Sequence, residues 1–87
     1  MHEAHLMENL IRQIGEIAEA EHARRVTGVS VWLGALSHFS VEHFTEHFER
    51  ASTGTIAEGA RLDVTVSDDT KDADAQDVML ESVEVEV

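Results

Sequence analysis

The sequence predicts an α/β fold in which two helices pack on one face of a small three-stranded sheet, in the order helix, strand, helix, strand, strand. Two stretches place apolar residues every three to four positions, the period of a helix with one buried face. Three others alternate β-branched and polar residues, the period of a half-buried strand. An acidic gap with no large apolar residue separates the last strand from the rest. Helices and strands that each carry one apolar face must cover one another, and a two-layer packing is the simplest way to do so.

The first helix is expected from Glu3 to about Ala23, with Leu6, Leu10, Ile14 and Ile17 as its stripe and Met7, Ile11 and Ala18 beside it. Arg24 and Arg25 follow, where positive charge favours the negative end of the helix dipole. Val26 to Leu33 reads as a strand with Val29, Val31 and Leu33 on one face and Ser30 and Trp32 on the other. Trp32 either marks a partner surface or is covered by a neighbouring side chain. Gly34 and Ser37 interrupt the strand. Ser40 is placed to cap a second helix running to about Ala51, whose buried stripe is Val41, Phe44, Phe48 and Ala51. Gly54 and Gly59 mark the following turns. A second strand over Arg61 to Ser67 points Leu62, Val64 and Val66 inward. Asp68–Asp77 carries five acids and is expected to be a solvated loop that adds nothing to the core. In the last segment, Val78 and Leu80 share one parity and Val83, Val85 and Val87 the other, so a bulge near Glu81 and Ser82 is needed to bring both sets to one face. The last two strands could then pair as a hairpin across the acidic loop.

Eighty-seven residues suffice for one domain, 1–87, because a chain of this length buries only about 60% of its unfolded surface. A formal charge of −12 repels nucleic acid and anionic lipid and attracts cations or basic protein surfaces. Neither nucleic acid nor a membrane is therefore expected as a partner. With no cysteine, the chain has no thiolate chemistry, disulfide or cysteine-ligated zinc. No basic leader or membrane-spanning run is evident, and the expected location is the cytoplasm. No phosphate-binding glycine loop or nucleophile motif points to an enzyme.

Two sets of residues carry metal chemistry. At the start Met1-His2-Glu3, a free α-amine, the backbone amides of residues 2 and 3 and the His2 imidazole could surround one ion in a near-planar nitrogen set, which suits nickel(II) or copper(II). His2 is too bulky for routine removal of the initiator Met. The same histidine can equally be an unremarkable exposed residue. His43 and His47, four apart on one helical face, can also grip a metal, with Glu46 the nearest further donor. They read just as well as partly exposed neighbours of the Phe44/Phe48 stripe. His5, His22 and His38 read as surface histidines.

Taken together in this order, Met1-His2-Glu3, the helix after it, Val26-Thr-Gly-Val-Ser-Val-Trp-Leu-Gly-Ala-Leu-Ser37, Thr53-Gly-Thr-Ile-Ala-Glu-Gly-Ala60-Arg-Leu and Glu81-Ser-Val-Glu-Val-Glu86 resemble the HypA/HybF family of hydrogenase maturation proteins. The resemblance covers roughly residues 1–66 and 78–87. It implies a nickel(II) metallochaperone for the large subunit of nickel–iron hydrogenase, in some organisms for urease, working beside a HypB-like GTPase. By position it gives the nickel-holding role to Met1, His2 and Glu3. The family inserts a zinc domain with two Cys-x-x-Cys pairs between the last two strands, where this chain has only Asp68–Asp77. Zinc is therefore not expected here. The family's core has mostly small or apolar residues where His43 and His47 stand, so the pair is expected to be particular to this chain. A homodimer is compatible with the reading. The rival reading is a docking adaptor of the same family that has lost metal delivery.

Overall fold

The structure, a computed structural model, describes the backbone of residues 2–87 and the side chains of residues 5–87. Its elements are α1 (His2–Ala20), β1 (Arg25–Leu33), α2 (Val41–Ser52), β2 (Arg61–Val66) and β3 (Val78–Glu86), in the expected order. β1 lies in the middle of the sheet, parallel to β2 and antiparallel to β3. A parallel pair cannot be closed by a tight turn, and α2 supplies the crossover from β1 to β2. The hairpin expected between β2 and β3 does not form, because β1 stands between them. The apolar content of the strands explains this order. Val26, Val29, Val31 and Leu33 of β1 are all buried, whereas the inward residues of β2 and β3 are at best half-buried. The strand with most to hide takes the centre.

α1 packs towards β3, α2 towards β2, and the helices touch each other, so both lie over one face of the sheet. The buried stripe of α1 is Met7, Leu10, Ile14 and Ala18; Leu6 is only half-buried and Ile17 is 39% exposed. The stripe thus lies a little round the helix from the one expected. α1 also ends earlier than expected. Ala23 N–H donates to the Ala18 carbonyl and His22 N–H to the Glu19 carbonyl, the paired bonds of a Schellman cap, with His22 in the left-handed region at φ 55°. A glycine usually occupies that position, and its absence hides the helix end in the sequence. Nor do the arginines cap α1. Arg24 N–H donates to the Glu86 carbonyl, and the Arg25 Nε pairs with the Glu86 carboxylate at 2.6 Å, so both close the edge between β1 and β3.

β3 contains the bulge that its sequence requires. Ser30 pairs with Ser82 and Val31 with Leu80, which leaves Glu81 unpaired and turns both Leu80 and Val83 towards the helices. A matching irregularity at Thr27 of β1 brings Val26 to the same face as Val29. Val66 and Val87, expected inward, are 52% and 75% exposed: Val66 lies on the edge strand β2, beside the buried Leu33, and Val87 follows the end of β3.

On the opposite face, Arg61, Gly28 and Glu84 form one row across the three strands. The Arg61 guanidinium donates to Glu84 at 2.8 Å and to Asp63 at 2.9 Å. These bonds, that to Glu84 first, hold its pKa above the ordinary value. The contact crosses directly over Gly28, where a Cβ would come within 2.7 Å of the guanidinium. Two rows further along the same face, Trp32 is half-buried between Thr65 and Met79 in register, so its neighbours partly cover it.

The acidic loop is more closely docked than its composition suggests. Its two ends straddle the end of β1, with Ser67 N–H donating to the Leu33 carbonyl and Gly34 N–H to the Asp77 carbonyl. Leu36 N–H donates to the Ala75 carbonyl at 2.7 Å, and Ala75 is 3% exposed. The expectation of a loop without any core contribution therefore fails at one residue. Small size lets Ala75 sit against Gly34, where a Cβ would meet the Ala75 carbonyl oxygen at 2.2 Å. Backbone, not a yielding side chain, fills that space. Gly34→Ala is expected to destabilise the fold by about 1–3 kcal/mol, the usual cost of overpacking, and a urea melt measures it. Native-state hydrogen exchange should be slowest in Val29–Leu33, between two strands. Ala75 and Asp77, whose amides donate to Asp72 and Asp74, should exchange more slowly than the rest of Asp68–Asp77. Uniformly fast exchange throughout the loop would contradict its docking.

Candidate metal centre

The terminal set Met1, His2 and Glu3 falls on the part of the chain where description stops. Met1, and the side chains of His2 and Glu3, lie outside the described residues. What is described is the start of α1 at His2. The first four N–H groups of a helix have no intrahelical acceptor, so the amides of residues 2 and 3 can be recruited as ligands without breaking an α-helical bond. One turn further on, Leu6 lines an open groove with Ser37, His38, Phe39, Gln76, Asp77, Val78 and Met79. His38, one of the residues lining it, has a left-handed backbone at φ 68°.

α2 starts directly beside this groove. The Ser40 hydroxyl accepts from His43 N–H at 3.1 Å, as an N-cap should. Phe39, just before the cap, packs edge-on against Phe44 with ring centroids 5.6 Å apart. This is a hydrophobic staple, and it fixes how the chain enters α2. The signal for Phe39 in the sequence is the spacing Phe39-Ser40-x-x-x-Phe44, which lies just ahead of the apolar stripe of α2. Phe44 and Phe48 are fully buried; Val41, expected to join them, is 43% exposed, and Ser52 is buried at the other end of the helix. The capped first turn faces outward before the stripe reaches the core.

His43 and His47 follow from this anchoring. Each immediately precedes a buried phenylalanine, which leaves His43 exposed and His47 half-buried on the flank of α2. Their Nε2 atoms are 3.0 Å apart, and the ring centroids are separated by 4.6 Å. Phe39 lies on the other side of His43, with ring centroids 6.4 Å apart, and so links the pair to the groove. Among the described residues, no group of three His, Asp or Glu side chains gathers to hold an ion. Glu46 does not join the pair in such a group, and His5 on α1 and His22 and His38 in the connecting segments stand at exposed positions.

The described residues form a two-layer α/β unit with a mixed three-stranded sheet, and its capped helix carries two adjoining imidazoles. The chain belongs to the HypA family: the family model described as "Hydrogenase/urease nickel incorporation, metallochaperone, hypA" matches residues 1–85. A hydrogenase maturation factor HypA from Archaeoglobus fulgidus is 42% identical over 66 residues, 76% of this chain and 60% of that protein. Its counterpart from Methylocella silvestris is 36% identical over 66 residues, 76% of this chain and 58% of that protein. The matched region thus spans about 60% of the length of these relatives. The solution structure of the nickel metallochaperone HypA from Helicobacter pylori superposes with a TM-score of 0.78 over 97% of both chains. At 18% identity that likeness is one of fold.

Proposed function

We propose that this chain carries nickel(II) to an enzyme under assembly, with the large subunit of nickel–iron hydrogenase as the first client and urease as the second. The match of the nickel-incorporation family model to residues 1–85, which takes in Met1-His2-Glu3, carries this reading. In a chain that starts at Met1, the α-amine, the amides of His2 and Glu3 and the His2 imidazole form the nitrogen set for the cargo ion. Planar nitrogen ligation suits nickel(II), and it holds the ion without the thiolates that this chain lacks. The role is one of binding and transfer, and no catalytic step is assigned to it. A HypB-like GTPase is the companion protein in the cytoplasm. No described helix is long and apolar enough to cross a membrane. Zinc is not part of the proposal, since the segment between β2 and β3 offers aspartates docked on Gly34 and no cysteine.

Transfer tests this reading. The nickel-loaded chain is mixed with nickel-free hydrogenase large-subunit precursor and the GTPase, the proteins are separated, and the nickel in each is measured. Nickel should move to the precursor. If the precursor accepts free nickel but gains none from the loaded chain, the reading fails.

A further inference from the structure

We propose that His43 and His47 form a second metal site, bidentate through their Nε2 atoms and able to take a divalent ion such as nickel(II). This goes beyond the terminal site and does not depend on it. Two imidazole nitrogens bound to one ion at about 2.0–2.1 Å lie about 2.8–3.4 Å apart for ligand angles between a right angle and the tetrahedral value. The observed 3.0 Å falls within that range.

The arrangement is held before any ion arrives. Phe44 and Phe48, one residue on from each histidine, are fully buried, and the Ser40 cap and Phe39 staple fix the first turn. An i, i+4 pair on so firmly anchored a helix loses little freedom on binding, which favours chelation. A chain of formal charge −12 raises the concentration of cations near its surface. The contact between the rings is a hydrogen bond whose donor depends on the tautomer. An ion takes the place of the bridging proton when the donating ring carries its proton on Nδ1 instead, so both rings stay neutral and each presents a lone pair. Water completes the coordination sphere and leaves it open for exchange.

The test uses nickel chloride and the chain acetylated at its α-amine, which removes one anchor of the terminal site. Calorimetry should detect one bound nickel, with paramagnetic broadening centred on the ring signals of His43 and His47. His43→Gln and His47→Gln should each weaken this binding by on the order of a hundredfold, the scale of a lost chelate partner, while His22→Gln leaves it unchanged. Far-UV circular dichroism confirms that the variants fold. The proposal is overturned if the acetylated chain binds no nickel, or if the double variant binds it as tightly. An unblocked chain carrying both substitutions reads the terminal site alone, so failure of either site is seen separately.

Discussion

Phe44→Ala and Phe48→Ala should each lower the free energy of unfolding by about 3–5 kcal/mol, the largest single-residue effects expected in this fold. Both rings are almost completely excluded from solvent and lie nearly parallel, with centroids 6.5 Å apart. They are the largest fully buried side chains, and they belong to one core cluster with residues of α1 and the valines of β1. Small domains have roughly 5–15 kcal/mol of stability in total, so either change should leave a marginal fold. Urea melts should show a lower midpoint with an unchanged slope. The double variant should cost less than the sum of the two, since the rings share one cavity. His43→Ala, at an exposed position one residue away, should stay within about 0.5 kcal/mol of the parent. A cost for His43→Ala as large as that of the phenylalanines would mean that the buried face of α2 is wrongly assigned.

The periodicity of the chain exposes most of this architecture. Phe44 and Phe48 announce the core of α2, Ser40 its start, and the parity change between Leu80 and Val83 requires the bulge that the structure places at Glu81. Strand order was less legible, because alternation shows which residues point inward and not which strands are neighbours. The concentration of buried valines in β1 was the available signal for its central place. The end of α1 was hidden because His22 takes a left-handed conformation that usually calls for glycine. Docking of the acidic loop depends on two small residues, Gly34 and Ala75, whose importance lies in backbone proximity and leaves no hydrophobic pattern. For the metal centre, spacing put His43 and His47 on one face, but only the fold shows their nitrogens 3.0 Å apart. The terminal set Met1, His2 and Glu3 was legible from its donor chemistry together with the family resemblance.

Loss of the terminal nickel site should be the largest functional effect, and it should follow equally from two unrelated changes. The α-amine and the His2 imidazole anchor the chelate from its two ends, and the amides between them become effective ligands only when both anchors hold the ion. His2→Ala and any extension ahead of Met1 should therefore weaken binding to the same extent. Glu3→Gln should be tolerated, because residue 3 contributes its backbone nitrogen. Amide ligation displaces protons, so affinity should fall as the pH is lowered. The decisive measurement is a calorimetric nickel titration in the His43→Gln/His47→Gln background, comparing the chain that starts at Met1 with its N-terminally acetylated form. The account predicts tight binding of one ion by the free amine and a severe loss on acetylation. Equal affinity of the two forms would contradict it and place the cargo site elsewhere in the chain.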